Sequence, residues 1–312
     1  MASRTSAMSA VITIDSISQV HGLTGLGRPA HPLVSVIGAS WQPPLHLPAG
    51  LVSTRIISNL YSVSLKRGSE CDFKYGRHHY DFQAGSVLFV APGQSMVPIA
   101  DARELDAEGD GWTLMFHPDL IRRSPLAARM REYSFFGYES HEALHLSDDE
   151  QATLTATVTR IEDEYRRDID AYSQELVVSH VQLLLTYCRR SYERQFNLRS
   201  TTNKDVIARL ETFLLHYFEA GGPATEGLPS VHACAKAMGY SADYLSDLLK
   251  KETGKNTREH IHYFLIERAK NRLLGSTDSI SEIAYALGFE HPQHFAKLFR
   301  SKTGMSPGEY RN

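Results

Sequence analysis

Adjacent histidines His78 and His79 are the residues that most invite metal chemistry. A mononuclear site on a strand wall wants two His one residue apart, a Glu a few residues on and a distant His. Neighbours on a strand face opposite sides of the sheet, and no Glu follows before Gly85, so no metal is expected. His21, His31, His46, His117 and His145 are scattered, as surface or core histidines are. Cys71, Cys188 and Cys234 lie far apart without a CxxC spacing, which predicts neither a disulfide framework nor a thiolate cage. No GxSxG elbow and no GxxxxGK loop occurs. The acidic runs Asp148-Asp149 and Glu162-Asp163-Glu164 read as solvated helix faces. No catalytic residue and no cofactor is expected.

A repeat carries stronger chemistry. GYSADYLSDLLKKETG (Gly239 to Gly254) recurs, one residue longer, as GFEHPQHFAKLFRSKTG (Gly288 to Gly304). A period of about 50 residues occurring twice means two copies of one supersecondary unit. Each copy reads as a helix ending in Gly-aromatic, a short turn and a second helix, the arrangement that sets a second helix into a DNA major groove. The connector between them, about 18 residues or roughly 27 Å of helix, carries an i, i+4 seam of Ile261, Leu265, Ala269 and Leu273. Two such units on one face of DNA reach major grooves one turn, about 34 Å, apart.

The charge supports this once divided along the chain. The 312 residues carry a net charge of −3, which looks wrong for a nucleic-acid binder. Residues 201–312, however, hold 14 Lys+Arg against 13 Asp+Glu, and Lys250 to Arg272 alone holds seven basic and three acidic residues. Basic patches survive inside a neutral average. With 42% hydrophobic and 22% charged residues the chain is long enough for one large core or two modest ones. No stretch of 18 or more apolar residues occurs and the N-terminus lacks a leader pattern, so a reducing cytoplasm is expected.

The elements that must position these residues follow from period and punctuation. Residues 31–117 read as short strands rich in Val, Ile, Phe and Tyr between Gly, Pro and Ser breaks, which predicts an antiparallel sandwich or barrel. After Leu146 the cluster Ser147 to Glu150 caps a helix with Leu154, Val158, Ile161 and Tyr165 on one face. A second helix spans about Tyr172 to Phe196. Its stripe of Val177, Val181, Leu184 and Cys188, widened by Leu176, Leu183 and Tyr187, suits either a helical-hairpin dimer or a helix buried against the sheet. The polar run Asn197 to Asn203 predicts a linker. From Lys204 the pattern predicts helices at Asp205–Glu219, Ser230–Met238, Ala242–Glu252, Thr257–Leu274, Ser281–Leu287, Pro292–Lys302 and Pro307–Arg311. Gly239, Gly254, Gly275, Gly288 and Gly304 fall where C-terminal caps need positive φ, and Ser279 with Glu282 and Ser306 with Glu309 form capping boxes.

SISEIAYALGFEHPQHFAKLFRSKTGMSPGEYR resembles the signature of the AraC/XylS family of bacterial transcription regulators, and Ser230 to Leu274 resembles the first half of the same DNA-binding domain. Residues 1–200 are more weakly similar to the sensor half, through Asp81 to Gln94. The resemblance implies an α+β two-domain fold. Its parts are a cupin-like β-barrel sensor (1–146), a helical hairpin for dimerisation with a linker (147–200) and an all-α domain of two helix-turn-helix units joined by a helix (201–312). It implies a sequence-specific DNA-binding regulator, a homodimer partnered by promoter DNA, RNA polymerase and a small-molecule effector. The alternative is a metal-dependent cupin enzyme fused to a DNA-binding domain. Carried over residue by residue, the resemblance places Asp243, Ser246 and Asp247 of the first copy, and Gln293, His294 and Lys297 of the second, against base edges. It places Lys250, Lys251, Arg300, Lys302 and Thr257 on phosphates, with Ser241 and Ser306 as further donors. Gln pairs with adenine and Lys with guanine, whereas Asp accepts only from cytosine and is repelled by phosphate, so the second copy is expected to dominate. For the effector, Arg55, Tyr61, Tyr80 and Trp112 are candidate pocket residues.

Overall fold

The computed structural model describes residues 11–38, 55–66, 73–75, 78–80, 85–96, 111–138, 142–168, 170–198 and 200–312. His46 and Cys71 lie outside these, as do the side chains of Arg55, His78, His79 and Tyr80. The chain divides into two compact units, Met1–Gln195 and Phe196–Asn312.

The first unit opens with β1 (Val11–Ile14), α1 (Ile17–Thr24), β2 (Val34–Ile37), β3 (Arg55–Ser58) and β4 (Tyr61–Lys66). It continues with β5 (Phe73–Tyr75), β6 (His78–Tyr80), β7 (Ser86–Val90), β8 (Gln94–Met96), β9 (Trp112–Phe116), the short helices α2 (Pro118–Ile121) and α3 (Pro125–Arg129), and β10 (Leu144–His145). Helices α4 (Asp148–Arg166) and α5 (Ser173–Leu198) follow. The central sheet runs β10-β7-β4-β9-β2 and is antiparallel throughout. A second sheet is ordered β1-β3-β8, with β1 parallel to β3, and β5 pairs with β6 alone. Among the described residues no ladder joins these sheets. Among the described residues, the strand run that predicted a sandwich or barrel therefore forms separate sheets and closes no barrel.

Side-chain bonds tie the helices of this unit to its strands. Ser147 caps α4 reciprocally with Glu150, and Leu154, Val158, Ile161 and Tyr165 are buried. The Tyr165 hydroxyl accepts the Val36 N–H at 2.8 Å. Trp112, 2% exposed, donates from Nε1 to Thr155 at 3.0 Å, so it is core and not a pocket wall. Tyr61 is half-buried, stacked on Phe116 with ring centres 5.0 Å apart. On α5, Val177, Val181, Leu184 and Cys188 are all buried inside the protomer. Of the two readings of the stripe, these four follow the second: they are intramolecular core, and the large exposed apolar residues of the helix are Leu176 at 43%, Leu183 at 42% and, at its end, Leu198 at 74%.

The second unit holds α6 (Ser200–Glu219), α7 (Gly222–Glu226), α8 (Val231–Met238), α9 (Ala242–Thr253), α10 (Thr257–Gly275), α11 (Ile280–Ala286), α12 (Pro292–Thr303) and α13 (Pro307–Arg311). The expected linker is helical on both sides of residue 199. Asn203 explains why: it is 2% exposed and its amide donates to the Phe196 carbonyl at 3.0 Å and to Glu252 at 2.8 Å. Phe196 itself packs on Tyr244, ring centres 5.1 Å apart.

Helix starts in this unit are chosen by capping. Ser230, Ser241, Asn256, Ser279 and Ser306 each accept a backbone N–H of the first turn of α8, α9, α10, α11 and α13. Helix α12 starts at His291, which makes no such bond, followed by Pro292. Gly239, at φ +81°, closes α8 through its N–H to the Ala235 and Lys236 carbonyls. Gly288 is required twice over, since φ is +88° and a Cβ there would lie 3.0 Å from the Pro223 carbonyl oxygen. Gly275, expected beyond a helix, is instead the last residue of α10. Around α10, Leu265, Ala269 and Leu273 join Ile283, Ala284, Leu287, Phe289, Phe295 and Phe299 in one core, while Ile261 is buried toward the first copy's end.

Candidate nucleic-acid interface

Helices α8 and α9 form the first helix-turn-helix unit, α11 and α12 the second, with α10 between them. Each second helix turns one apolar side inward: Leu245, Leu248 and Leu249 on α9, Phe295 and Phe299 on α12, all buried. The opposite faces carry the chemistry. Gln293, His294, Lys297, Arg300 and Lys302 are exposed on α12, and Asp243, Lys250 and Lys251 on α9. Lys250 and Lys251 occupy the last turn of α9, Arg300 and Lys302 that of α12. None of these cations forms an ion pair within 4.0 Å of another described residue, so their charge is available to an anionic partner.

The two faces differ as the residue types predict. Partial desolvation, then the neighbouring Asp247 carboxylate, hold the Asp243 carboxyl above its ordinary pKa. Two like charges one helical turn apart oppose each other, and a phosphate backbone opposes both. Asp247 and Ser246 are half-buried. The Ser246 hydroxyl is 3.0 Å from that of Thr257, and Thr257 is fully buried. This corrects the assignment of the Thr257 side chain to phosphate: its hydroxyl is turned into the corner between α9 and α10, and only its backbone N–H stands at the start of α10. The Ser241 and Ser306 hydroxyl oxygens accept the Tyr244 and Glu309 N–H groups at their own caps.

Sequence reasoning passed over Arg258, exposed in the first turn of α10, and the half-buried His262 one turn on. Burial, then the cations Lys302 and Arg258, push the His262 imidazole below its ordinary pKa. Positive charge from α10 and from α12 thus meets near His262, a tertiary clustering that no local pattern signals. Among the described residues no three His, Cys, Asp or Glu side chains gather as a metal site would need, and no helix is long and apolar enough to cross a membrane.

A helix-turn-helix domain model matches residues 234–312. The chain is 38% identical over 77 residues to an uncharacterized HTH-type transcriptional regulator, YijO, of Escherichia coli (strain K12), covering 25% of this chain and 27% of that protein. It is 30% identical over 119 residues to the xylose operon regulatory protein of the same organism, covering 38% of this chain and 28% of that one. The chain carries an AraC/XylS-type DNA-binding domain. Among solved structures, an AraC-type regulator from Chromobacterium violaceum aligns at 22% identity and a TM-score of 0.31, covering 36% of this chain and 93% of that one. These two matches span little more than a quarter of the relatives' own lengths. Within the domain, α9 and α12 are the second helices of the two units.

Proposed function

We propose that the whole chain is a sequence-specific transcription regulator. Its AraC-type domain, 201–312, binds duplex promoter DNA, with Gln293, His294 and Lys297 of α12 as the dominant base readers. Asp243, Ser246 and Asp247 of α9 are the weaker ones. Lys250, Lys251, Arg300 and Lys302 take phosphates. The single observation that carries the reading is the matched placement of exposed, unpaired cations in the last turn of both recognition helices.

The first unit is read as a cupin-like sensor (1–146) for a small-molecule effector, followed by a hairpin (147–200) that pairs two copies. The support for pairing is the exposed Leu176 and Leu183 on α5. RNA polymerase is the further partner that promoter binding calls for. The test is a genome-wide binding footprint joined to a salt titration on one recovered site. Six to ten phosphate contacts would cost roughly 10³ to 10⁵ in affinity between 50 and 200 mM salt. A salt-independent interaction, or no recovered sites, defeats the reading.

A further inference from the structure

The two recognition helices align start to start, because the extra residue of the second copy, Glu290, falls in the turn. Ser241 and His291 then hold the same place, the N-cap, and Tyr244 and His294 share the third helical position. In the first copy both face inward. Ser241 is 7% exposed and accepts the Tyr244 N–H at 3.2 Å, and Tyr244 is 2% exposed. In the second copy both are exposed imidazoles. Their ring centres lie 5.4 Å apart at 87°, an edge-to-face pair that holds each ring's plane.

Local stability argues against this choice. The other helices from α8 to α13 all start on a Ser or Asn that bonds a first-turn N–H, and α12 alone forgoes the bond. Pro292 at its first position lessens the loss, having no N–H to satisfy and a φ already helical. A residue that breaks a local rule its neighbours obey, at the end of a helix that enters the groove, is placed for contact and not for folding.

We infer that His291 is a specificity-determining residue of the AraC-type domain, donating a ring N–H to a guanine, with His294 fixing its plane. The inference rests on the DNA-binding reading above. Neutral imidazole has one N–H donor and imidazolium has two, so in either state the ring can donate. Of the four bases, guanine alone presents two acceptors, N7 and O6, with no donor beside them in the major groove.

The experiment is selection from a random-sequence duplex library by the full chain, comparing wild type with His291→Ser and Lys297→Ala. His291→Ser supplies the capping residue of the first copy, so folding is kept or improved, and thermal unfolding checks that. The wild type should select a guanine at one position that Lys297→Ala leaves selected. His291→Ser should lose preference there by roughly 5- to 150-fold, the span of one good base contact, with binding to a scrambled duplex unchanged. The same selected motif from His291→Ser and wild type would overturn the inference, as would an equal loss on every duplex. If the wild type selects no motif and Lys297→Ala binds every duplex as the wild type does, the DNA-binding reading itself falls, and this inference with it.

Discussion

Asp247 and Lys297 stand at equivalent places on α9 and α12, so the substitution Asp247→Lys gives the first reader the charge of the second. Two effects can be worked out. Within the helix, Asp243 and Asp247 form a like-charged i, i+4 pair, which after burial is the second cause of the raised Asp243 pKa. Such a pair is unfavourable by about 0.2 to 0.5 kcal/mol, and an acid followed by Lys is favourable by a similar amount, a swing of about 0.4 to 1 kcal/mol. On the other side Lys251 is also i, i+4 from position 247, where the same change costs a similar amount, so the unfolding midpoint should move little. On DNA, one added phosphate contact steepens the plot of log affinity against log salt by about 0.9, so the gain over wild type shrinks by about 3.5-fold for each fourfold rise in salt. Fluorescence anisotropy on a scrambled duplex from 50 to 200 mM salt measures the slope. A steeper slope with tighter low-salt binding is expected. An unchanged slope in a protein whose midpoint has not fallen would refute the placement of α9 against DNA.

Three further outcomes are expected. Leu183→Asp should yield a folded monomer by sedimentation, whereas Leu184→Asp, at a fully buried position, should abolish folding; a Leu183→Asp protein that still self-associates would remove α5 from the interface. A fragment starting at Phe196 should fold and bind DNA, and one starting at Lys204 should unfold at lower temperature, because it lacks the Phe196 ring against Tyr244 and the bonds of Asn203; equal midpoints would contradict this. Burial works against the Glu150 carboxylate, but bonds from Arg194, the Ser147 N–H and Ser191 outweigh it and hold its pKa below the ordinary value. That stability is present above the unfolded value of about 4.3 and is lost as pH falls through the lower folded one. The deficit of Arg194→Ala in denaturant titrations should therefore be full at pH 7 and smaller at pH 3, and a deficit independent of pH would refute it.

What was legible in the chain was what local chemistry decides. The S-x-x-E boxes at Ser279 and Ser306 and the terminating Gly239 and Gly254 marked helix ends in the second unit to within a residue or two. The same kind of signal, Ser16 with Gln19, starts α1 and went unread. The start of α6 was hidden because Ser200 to Lys204 lacks an apolar period; Asn203 is buried by hydrogen bonds and not by hydrophobicity. The split between core and surface on α5 follows from which neighbours cover it, so a broad stripe alone left open whether Val181 and Leu184 face the protomer core or a second copy. Thr257 was misread for a related reason. A hydroxyl at a helix start is a surface donor by type, and only the fold brings Ser246 within 3.0 Å of it. The strands were found run by run, but their grouping into separate sheets depends on pairings distant in sequence.

The inequality of α9 and α12 gives any bound site a direction. With acids on one helix and amide, imidazole and ammonium groups on the other, turning the site end for end exchanges the bases each helix meets. A single domain that reads a site with both helices would therefore distinguish the two orientations of that site.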